Sequence, residues 1–88
     1  MENLGTLKIE YKDNNDIIQL YNAADVCSLV INGEVVDQYK ELVASRFELK
    51  GSIKRADRII PVSAKMGFFF MELFYDGRKV GKKFMAFG

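Results

Sequence analysis

The sequence predicts an all-β protein: an antiparallel β-sandwich of seven or eight strands with hairpin connections. Three observations indicate this fold class. Apolar and polar residues alternate with a period of two through nearly every apolar segment. Such segments recur every ~8–12 residues, with turn-forming residues between them. Two of the turns are the hairpin dipeptides Asn32-Gly33 and Asp76-Gly77.

The first half of the chain contains four predicted strands. They are Leu7–Lys12, Ile17–Tyr21, Val26–Ile31 and Val35–Lys40. In the first of them, apolar side chains alternate with Lys and Glu, as in a strand with one solvated face. Both central residues of a type I′ turn need positive φ, which Asn and Gly adopt more readily than other residues. Asn32-Gly33 therefore predicts that the last two of these strands pair in antiparallel fashion.

The second half contains four more predicted strands. They are Phe47–Ile53, Ile60–Ala64, Phe68–Tyr75 and Val80–Phe87. Pro61 has no N–H to donate, so its strand is predicted to lie at a sheet edge or to contain a bulge. The third strand of this half is apolar on both faces, which is typical of a central strand. Asp76-Gly77 predicts that it pairs with the strand that follows.

A possible internal repeat relates the two halves. The two hairpin turns lie 44 positions apart in a chain of 88 residues, and Leu29 and Val36 recur as Leu73 and Val80. This spacing is consistent with two related four-stranded halves. Matches around a common turn also arise by chance, so the sequence leaves both explanations open.

Length and composition favour one domain over residues 1–88 and exclude several classes of function. At 49% hydrophobic residues the chain can bury a core, which argues against intrinsic disorder. Histidine is absent and Cys27 is the only cysteine. Ser-His-Asp and Cys-His nucleophiles and the usual zinc sites are therefore excluded. The sequence predicts a protein that is not an enzyme and uses no cofactor.

The net charge of +1 provides no overall field that would steer the chain to nucleic acid or to an anionic membrane. A charge-driven partner would have to use a local patch. No apolar stretch approaches the roughly 18 residues needed to cross a bilayer, and the first residues lack the pattern of a secretory signal. We therefore expect a cytoplasmic protein without membrane contacts, for which nucleic acid is not the leading partner.

Four segments follow one another in a recognisable order: Leu7–Tyr11, Leu29–Val36, Arg46–Gly51 and Met71–Val80. They read as a strand, an Asn-Gly hairpin, an F-x-L-x-G strand and an E-L-x-x-D-G-R hairpin. In this order they resemble one domain of the Fas apoptotic inhibitory molecule family, over about Leu7 to Phe84. The resemblance implies an antiparallel eight-stranded β-sandwich without catalytic residues. It also implies work through protein contacts, including a protective role against protein aggregation.

The Phe-rich strand supplies the candidate interface. A two-sheet core covers one face of this strand, and something else must cover Phe68, Phe70 and Phe74 on the other. The candidates are a terminus that folds back, with Phe84 or 85–87, or a second copy of the chain in a homodimer. The sequence does not decide whether these side chains are core or interface. Glu72 shares their face and is expected to lie near the exposed end of the strand or to pair with Arg78 or Lys79 across the hairpin.

The densest basic cluster lies at the second hairpin and supplies an alternative function. Arg78, Lys79, Lys82 and Lys83 could bind phosphates or another small anion while neighbouring aromatic rings stack on bases. Lysines at a strand edge also commonly prevent edge-to-edge aggregation. The leading hypothesis is therefore a non-catalytic protein-interaction module that uses a sheet face or an edge strand, for self-association or for binding a partner. Anion or nucleic-acid binding is the alternative.

Overall fold

The computed structural model describes residues 7–22, 26–40, 47–67 and 70–84 of the chain. These residues form eight antiparallel strands and contain no helix, which confirms the predicted fold class. The strands are β1 (Leu7–Asp13), β2 (Asp16–Asn22), β3 (Cys27–Ile31), β4 (Glu34–Tyr39), β5 (Phe47–Lys54), β6 (Ile59–Met66), β7 (Phe70–Tyr75) and β8 (Arg78–Phe84).

The eight strands form two four-stranded sheets, each with its strands in chain order. The first sheet has the order β1-β2-β3-β4 and the second has the order β5-β6-β7-β8. The predicted hairpins join β3 to β4 and β7 to β8. At both turns the two central residues have positive φ, 52° and 85° at Asn32 and Gly33 and 54° and 82° at Asp76 and Gly77. This geometry confirms both hairpins, and the turn residues explain it.

The two sheets repeat one design with a spacing of 44 residues. The pairing of β3 with β4 shifts register between Leu29 and Val30. The pairing of β7 with β8 shifts between Leu73 and Phe74. The turns repeat as well, because the N–H groups of Asn32 and Asp76 each donate a 2.8 Å hydrogen bond to the carbonyl oxygen of the residue 15 positions earlier in the chain. The turn, the bulge and the strand order therefore recur together, and the two halves are structural repeats.

The core lies between the facing sides of the two sheets. Alternate residues of the strands point inward and are buried, as the period of two requires. Fifteen described side chains form the core cluster: Ile9, Ile18, Leu20, Cys27, Leu29, Ile31, Leu49, Ile53, Ile60, Val62, Ala64, Met66, Met71, Leu73 and Tyr75. Both sheets contribute, so neither half buries its apolar face without the other.

Pro61 lies in an interior strand, and the prediction of an edge strand or a bulge is wrong. β6 pairs with both β5 and β7, and neither pairing shifts register at Pro61. The Pro61 carbonyl oxygen accepts a hydrogen bond from the Asp76 N–H, on the β7 side. In an antiparallel strand the nitrogen and the carbonyl of one residue face the same neighbour. The absent N–H of Pro61 therefore faces the turn that follows β7. The last pair of the β6–β7 ladder is Val62 with Tyr75, so no hydrogen bond within that ladder is lost.

A polar network ties the two sheets together at the end where the hairpin turns lie. Asp16, only 3% exposed, accepts an ion-paired hydrogen bond from Arg55, which follows β5 in the other half. Its second carboxylate oxygen accepts a 3.1 Å hydrogen bond from the Asn32 side chain. Beside it, the Tyr75 hydroxyl donates to Asp13 at 2.9 Å. Burial and this hydrogen bond raise the pKa of Tyr75, so the hydroxyl remains a donor at neutral pH.

Replacing Gly33 or Gly77 by Val is expected to destabilise the fold by about 1–3 kcal/mol. A Cβ at either position would meet no atom within 4 Å, so the loss comes from the positive φ and not from a clash. The free energy of unfolding in urea measures the effect. Gly33→Asn is the control, because Asn tolerates this region of φ. A Val variant with the unfolding midpoint of the wild type would contradict the turn assignment.

Arg55→Met is expected to cost about 1–3 kcal/mol of the free energy of unfolding, because it leaves the buried Asp16 carboxylate without its cation. Arg58→Met is the matched control. Arg58 pairs with Asp76 at 2.8 Å, but both side chains are exposed, so a much smaller loss is expected. Equal losses in the two variants would show that the network does not hold the sheets together.

Candidate interaction face

The outward side of the second sheet is a continuous surface, here named the outer face. It follows from the strand registers, because residues that pair across antiparallel strands point to the same side. Its described members are Glu48, Lys50, Ser52, Lys54, Ile59, Pro61, Ser63, Lys65, Phe70, Glu72, Phe74, Lys79, Lys82 and Phe84. Apolar, aromatic and charged side chains are thus mixed on one side of the sheet.

The outward sides of the two sheets differ at equivalent positions of the repeat. In the first sheet, Ser28 and Val30 point outward from β3 and are only 0% and 3% exposed. The equivalent residues of β7, Glu72 and Phe74, are only partly buried. The prediction that β7 is a central strand is confirmed, since it pairs with both β6 and β8. Its inward side is fully covered and its outward side is not.

Two of the three predicted interface residues lie on the outer face. Phe70 and Phe74 are partly buried there, and Phe68 lies outside the described residues. Lysine side chains cover their rings: the Lys82 ammonium lies 4.8 Å from the centroid of Phe70, and the Lys65 ammonium lies 5.3 Å from that of Phe74. These are cation–π contacts, in which the ring quadrupole attracts the ammonium.

Phe84 joins the same aromatic group. The sequence offered it both as a possible cover for the Phe-rich strand and as a ring beside the basic cluster; the other possible cover, 85–87, lies outside the described residues. It pairs with Phe70 across the β7–β8 ladder, and the rings meet edge to face at 6.5 Å between centroids. Phe84 remains 70% exposed, so it does not close the surface. The ammonium of Lys82 also lies over its ring, at 5.3 Å. Its distance from the Asp76-Gly77 turn alone would pair Phe84 with residue 69, and the register shift between Leu73 and Phe74 moves its partner to Phe70.

The four predicted anion-binding residues are divided between two sides of β8. Lys79 and Lys82 pair with Phe74 and Glu72 and therefore lie on the outer face. Arg78 and Lys83 pair with Tyr75 and Met71, whose side chains point to the opposite side. The division follows from strand alternation and from the bulge, which the sequence did not indicate. A single flat ligand on the outer face would meet two of the four.

Glu72 forms ion pairs with two lysines of the outer face. Its carboxylate lies 2.7 Å from the Lys79 ammonium and 3.8 Å from that of Lys82, and its side chain is 13% exposed. The hydrogen bond from Lys79 holds the pKa of Glu72 below its usual range. The expected pairing of Glu72 with Lys79 is therefore present. Across the sheet, the register aligns Glu48, Lys65, Glu72 and Lys82 as a row of alternating sign.

A cleft of about 520 Å³ opens at the end of the sandwich, beside the Asp16 network. Three arginines and three aspartates line it, so its charges balance. They are Arg55, Arg58, Arg78, Asp13, Asp57 and Asp76. The net charge of these lining side chains is zero.

Among the described residues, neither a metal-binding cluster nor a reactive cysteine is found. No group of three or more His, Cys, Asp or Glu side chains among them could hold a metal ion. Cys27 is buried, and burial raises the pKa of its thiol to about 12, so the thiolate needed for nucleophilic attack is scarce at neutral pH. No helix in the described ranges is long and apolar enough to cross a membrane.

Comparisons with protein-family models, with curated proteins and with solved structures find no match to this chain.

Glu72→Gln is expected to lower the free energy of unfolding at pH 7, because Lys79 and Lys82 lose their carboxylate. The folded-state pKa of Glu72 is depressed, so its contribution is full above the unfolded pKa, about 4.3, and is lost as the pH falls through the folded value. The difference from the wild type should therefore vanish in acid. Urea unfolding at several pH values between neutral and about pH 3 measures it.

Glu48→Gln is the matched control on the same face. Glu48 is exposed and makes no ion pair with the described residues, so its replacement should change stability little at any pH. A Glu72→Gln difference that persists unchanged into acid would show that the ion pair with Lys79 is not its cause.

Proposed function

We propose that this protein is a non-catalytic interaction module that binds another protein chain through the outer face of its second sheet. The observation that supports the proposal is the group of three phenylalanine rings, Phe70, Phe74 and Phe84, on a sheet side that no further layer of the described structure covers. Aromatic side chains are enriched at protein interfaces because they bury a large area at a small cost in conformational entropy. Phe68 is the third predicted interface residue. It is included in the proposal from the sequence alone, because it lies outside the described residues.

The face is a better candidate than a sheet edge. Edge strands β4 and β5 contact each other across the two sheets, and the Asp37 carboxylate accepts the Lys50 N–H at 2.9 Å. This contact takes a backbone donor that an added strand would need. At the other edge, β8 carries Lys82 and Lys83, and lysines at an edge oppose strand addition. At β4, β5 and β8 an added strand would therefore meet a contact already made or lysine side chains.

The proposed function agrees with the family resemblance, which implies protein contacts on a β-sandwich without catalytic residues. It includes two forms, binding of a different protein and self-association as a homodimer. The molecular mass in solution over a range of concentrations separates them. Anion or nucleic-acid binding is a second candidate, because Lys79 and Lys82 lie on the same face as the exposed Phe84.

Phe84→Ser is expected to abolish the interaction and leave the fold intact, because the ring is 70% exposed. Two measurements check it: the mass of the purified protein, and the proteins that the immobilised chain retains from an extract of its own cells. Val35→Ser is the control, since Val35 is also exposed and points outward from the first sheet. Phe70→Glu places a charge among the rings and tests the same surface at its centre.

The proposal fails if Phe84→Ser and Phe70→Glu remain folded and retain the same oligomeric state and the same proteins as the wild type. It also fails if Val35→Ser loses the interaction to the same degree, because the contact would then not be specific to the outer face. Circular dichroism establishes that each variant is folded before the comparison is made.

A further inference from the structure

The outer face concentrates positive charge. Among the described residues it carries five lysines and two glutamates, so positive charges exceed negative ones by three. The lysines are Lys50, Lys54, Lys65, Lys79 and Lys82, and the glutamates are Glu48 and Glu72. The whole chain has a net charge of only +1. On the outward side of the first sheet, the charged side chains that are described are Glu10 and Lys12, which pair with each other at 3.5 Å.

Two of these lysines, Lys65 and Lys82, contact aromatic rings. Lys65 and Lys82 place their ammonium groups 5.3 Å from the centroid of Phe74 and 4.8 Å from that of Phe70. Their aliphatic stems then cover apolar surface while the charges remain accessible from outside. A side chain that is already ordered loses less conformational entropy when it binds an anion. The outermost layer of the face is therefore a set of partly ordered cations above an apolar base.

The position of the ammonium groups over the rings favours some partners over others among nucleic acid, a carboxylate-rich chain and a second copy of this protein. A nucleobase stacks on the face of an aromatic ring, and here lysine ammonium groups occupy positions over the rings of Phe70, Phe74 and Phe84. A carboxylate needs only the ammonium groups. Those of Lys65, Lys79 and Lys82 belong to exposed residues, although Lys79 and Lys82 already pair with Glu72. A second copy of the chain would bring the same excess of positive charge to the contact, and like charges repel. The observations therefore favour a partner rich in carboxylates.

We propose that the outer face binds an acidic segment of another polypeptide, whose carboxylates contact Lys65, Lys79 and Lys82 and whose apolar side chains pack on Phe84. This inference rests on the proposed function and specifies the chemistry of the partner. Apolar contact and charge complementarity would act together, because the rings and the ammonium groups lie within one surface.

The test uses two fluorescently labelled peptides of equal length, one alternating Glu with Leu and one alternating Gln with Leu. The wild-type protein should bind the Glu peptide, with an affinity that falls as salt is added, and should bind the Gln peptide more weakly. The double variant Lys65→Gln/Lys82→Gln should bind the Glu peptide about fivefold more weakly. Lys12→Gln/Lys40→Gln removes two exposed lysines away from this face and should leave the affinity unchanged.

Three outcomes would overturn the inference. Equal binding of the two peptides would show that charge does not select the partner. The outer face would then remain the proposed interaction surface, but not for an acidic segment. Equal weakening by the two double variants would show an effect of net charge alone. Tighter, Phe84-dependent binding of an oligothymidylate than of the Glu peptide would assign the face to single-stranded nucleic acid. The inference of an acidic partner is supported if Phe84→Ser loses binding of the Glu peptide and Lys65→Gln/Lys82→Gln binds that peptide more weakly than the wild type.

Discussion

The buried carboxylate of Asp16 is the constraint on which the arrangement of the two sheets depends. A charge with only 3% exposure is stable in a protein interior only when it is paired and hydrogen-bonded. Its partners come from distant parts of the chain: Arg55 lies 39 residues away and Asn32 lies 16 residues away. Asn32 also accepts the Ile17 N–H at 2.8 Å, while its own φ of 52° forms the hairpin turn. Asn32 thus forms the turn and donates one of the hydrogen bonds that the buried carboxylate accepts.

The two sheets also come close to each other along both edges of the sandwich. Two glycines make this possible. A Cβ at Gly81 would lie 2.5 Å from Cγ2 of Ile9, and one at Gly51 would lie 2.8 Å from Cγ2 of Val36. The first contact joins β8 to β1 and the second joins β5 to β4, which are equivalent edges in the two repeats. Both edges of the sandwich therefore have a glycine where the two sheets come close, and the inward sides pack on each other.

The local features of the fold could be predicted from the sequence, whereas its long-range contacts could not. Alternation and turn dipeptides depend on neighbouring residues, so the strands and both hairpins follow from them. Pro61 was misassigned because the direction of its missing N–H depends on where β7 ends. The Asp16–Arg55 pair forms because the start of β2 lies beside the segment that follows β5 in the other sheet. No pattern of neighbouring residues in the sequence indicates this proximity. For the site, Phe70 and Phe74 were predicted, but the lysines over their rings require the cross-strand register.

The outer face of this small sandwich keeps aromatic residues accessible while lysine side chains lie over their rings. Exposed aromatic clusters promote aggregation when nothing covers them. Here Lys65 and Lys82 of neighbouring strands lie over the rings, and Glu72 pairs with Lys82 and with Lys79. The lysines of these ion pairs are partly exposed, so solvent screens the pairs and they can rearrange when a partner arrives. The contacts that protect the free protein are therefore the contacts that an acidic partner would use.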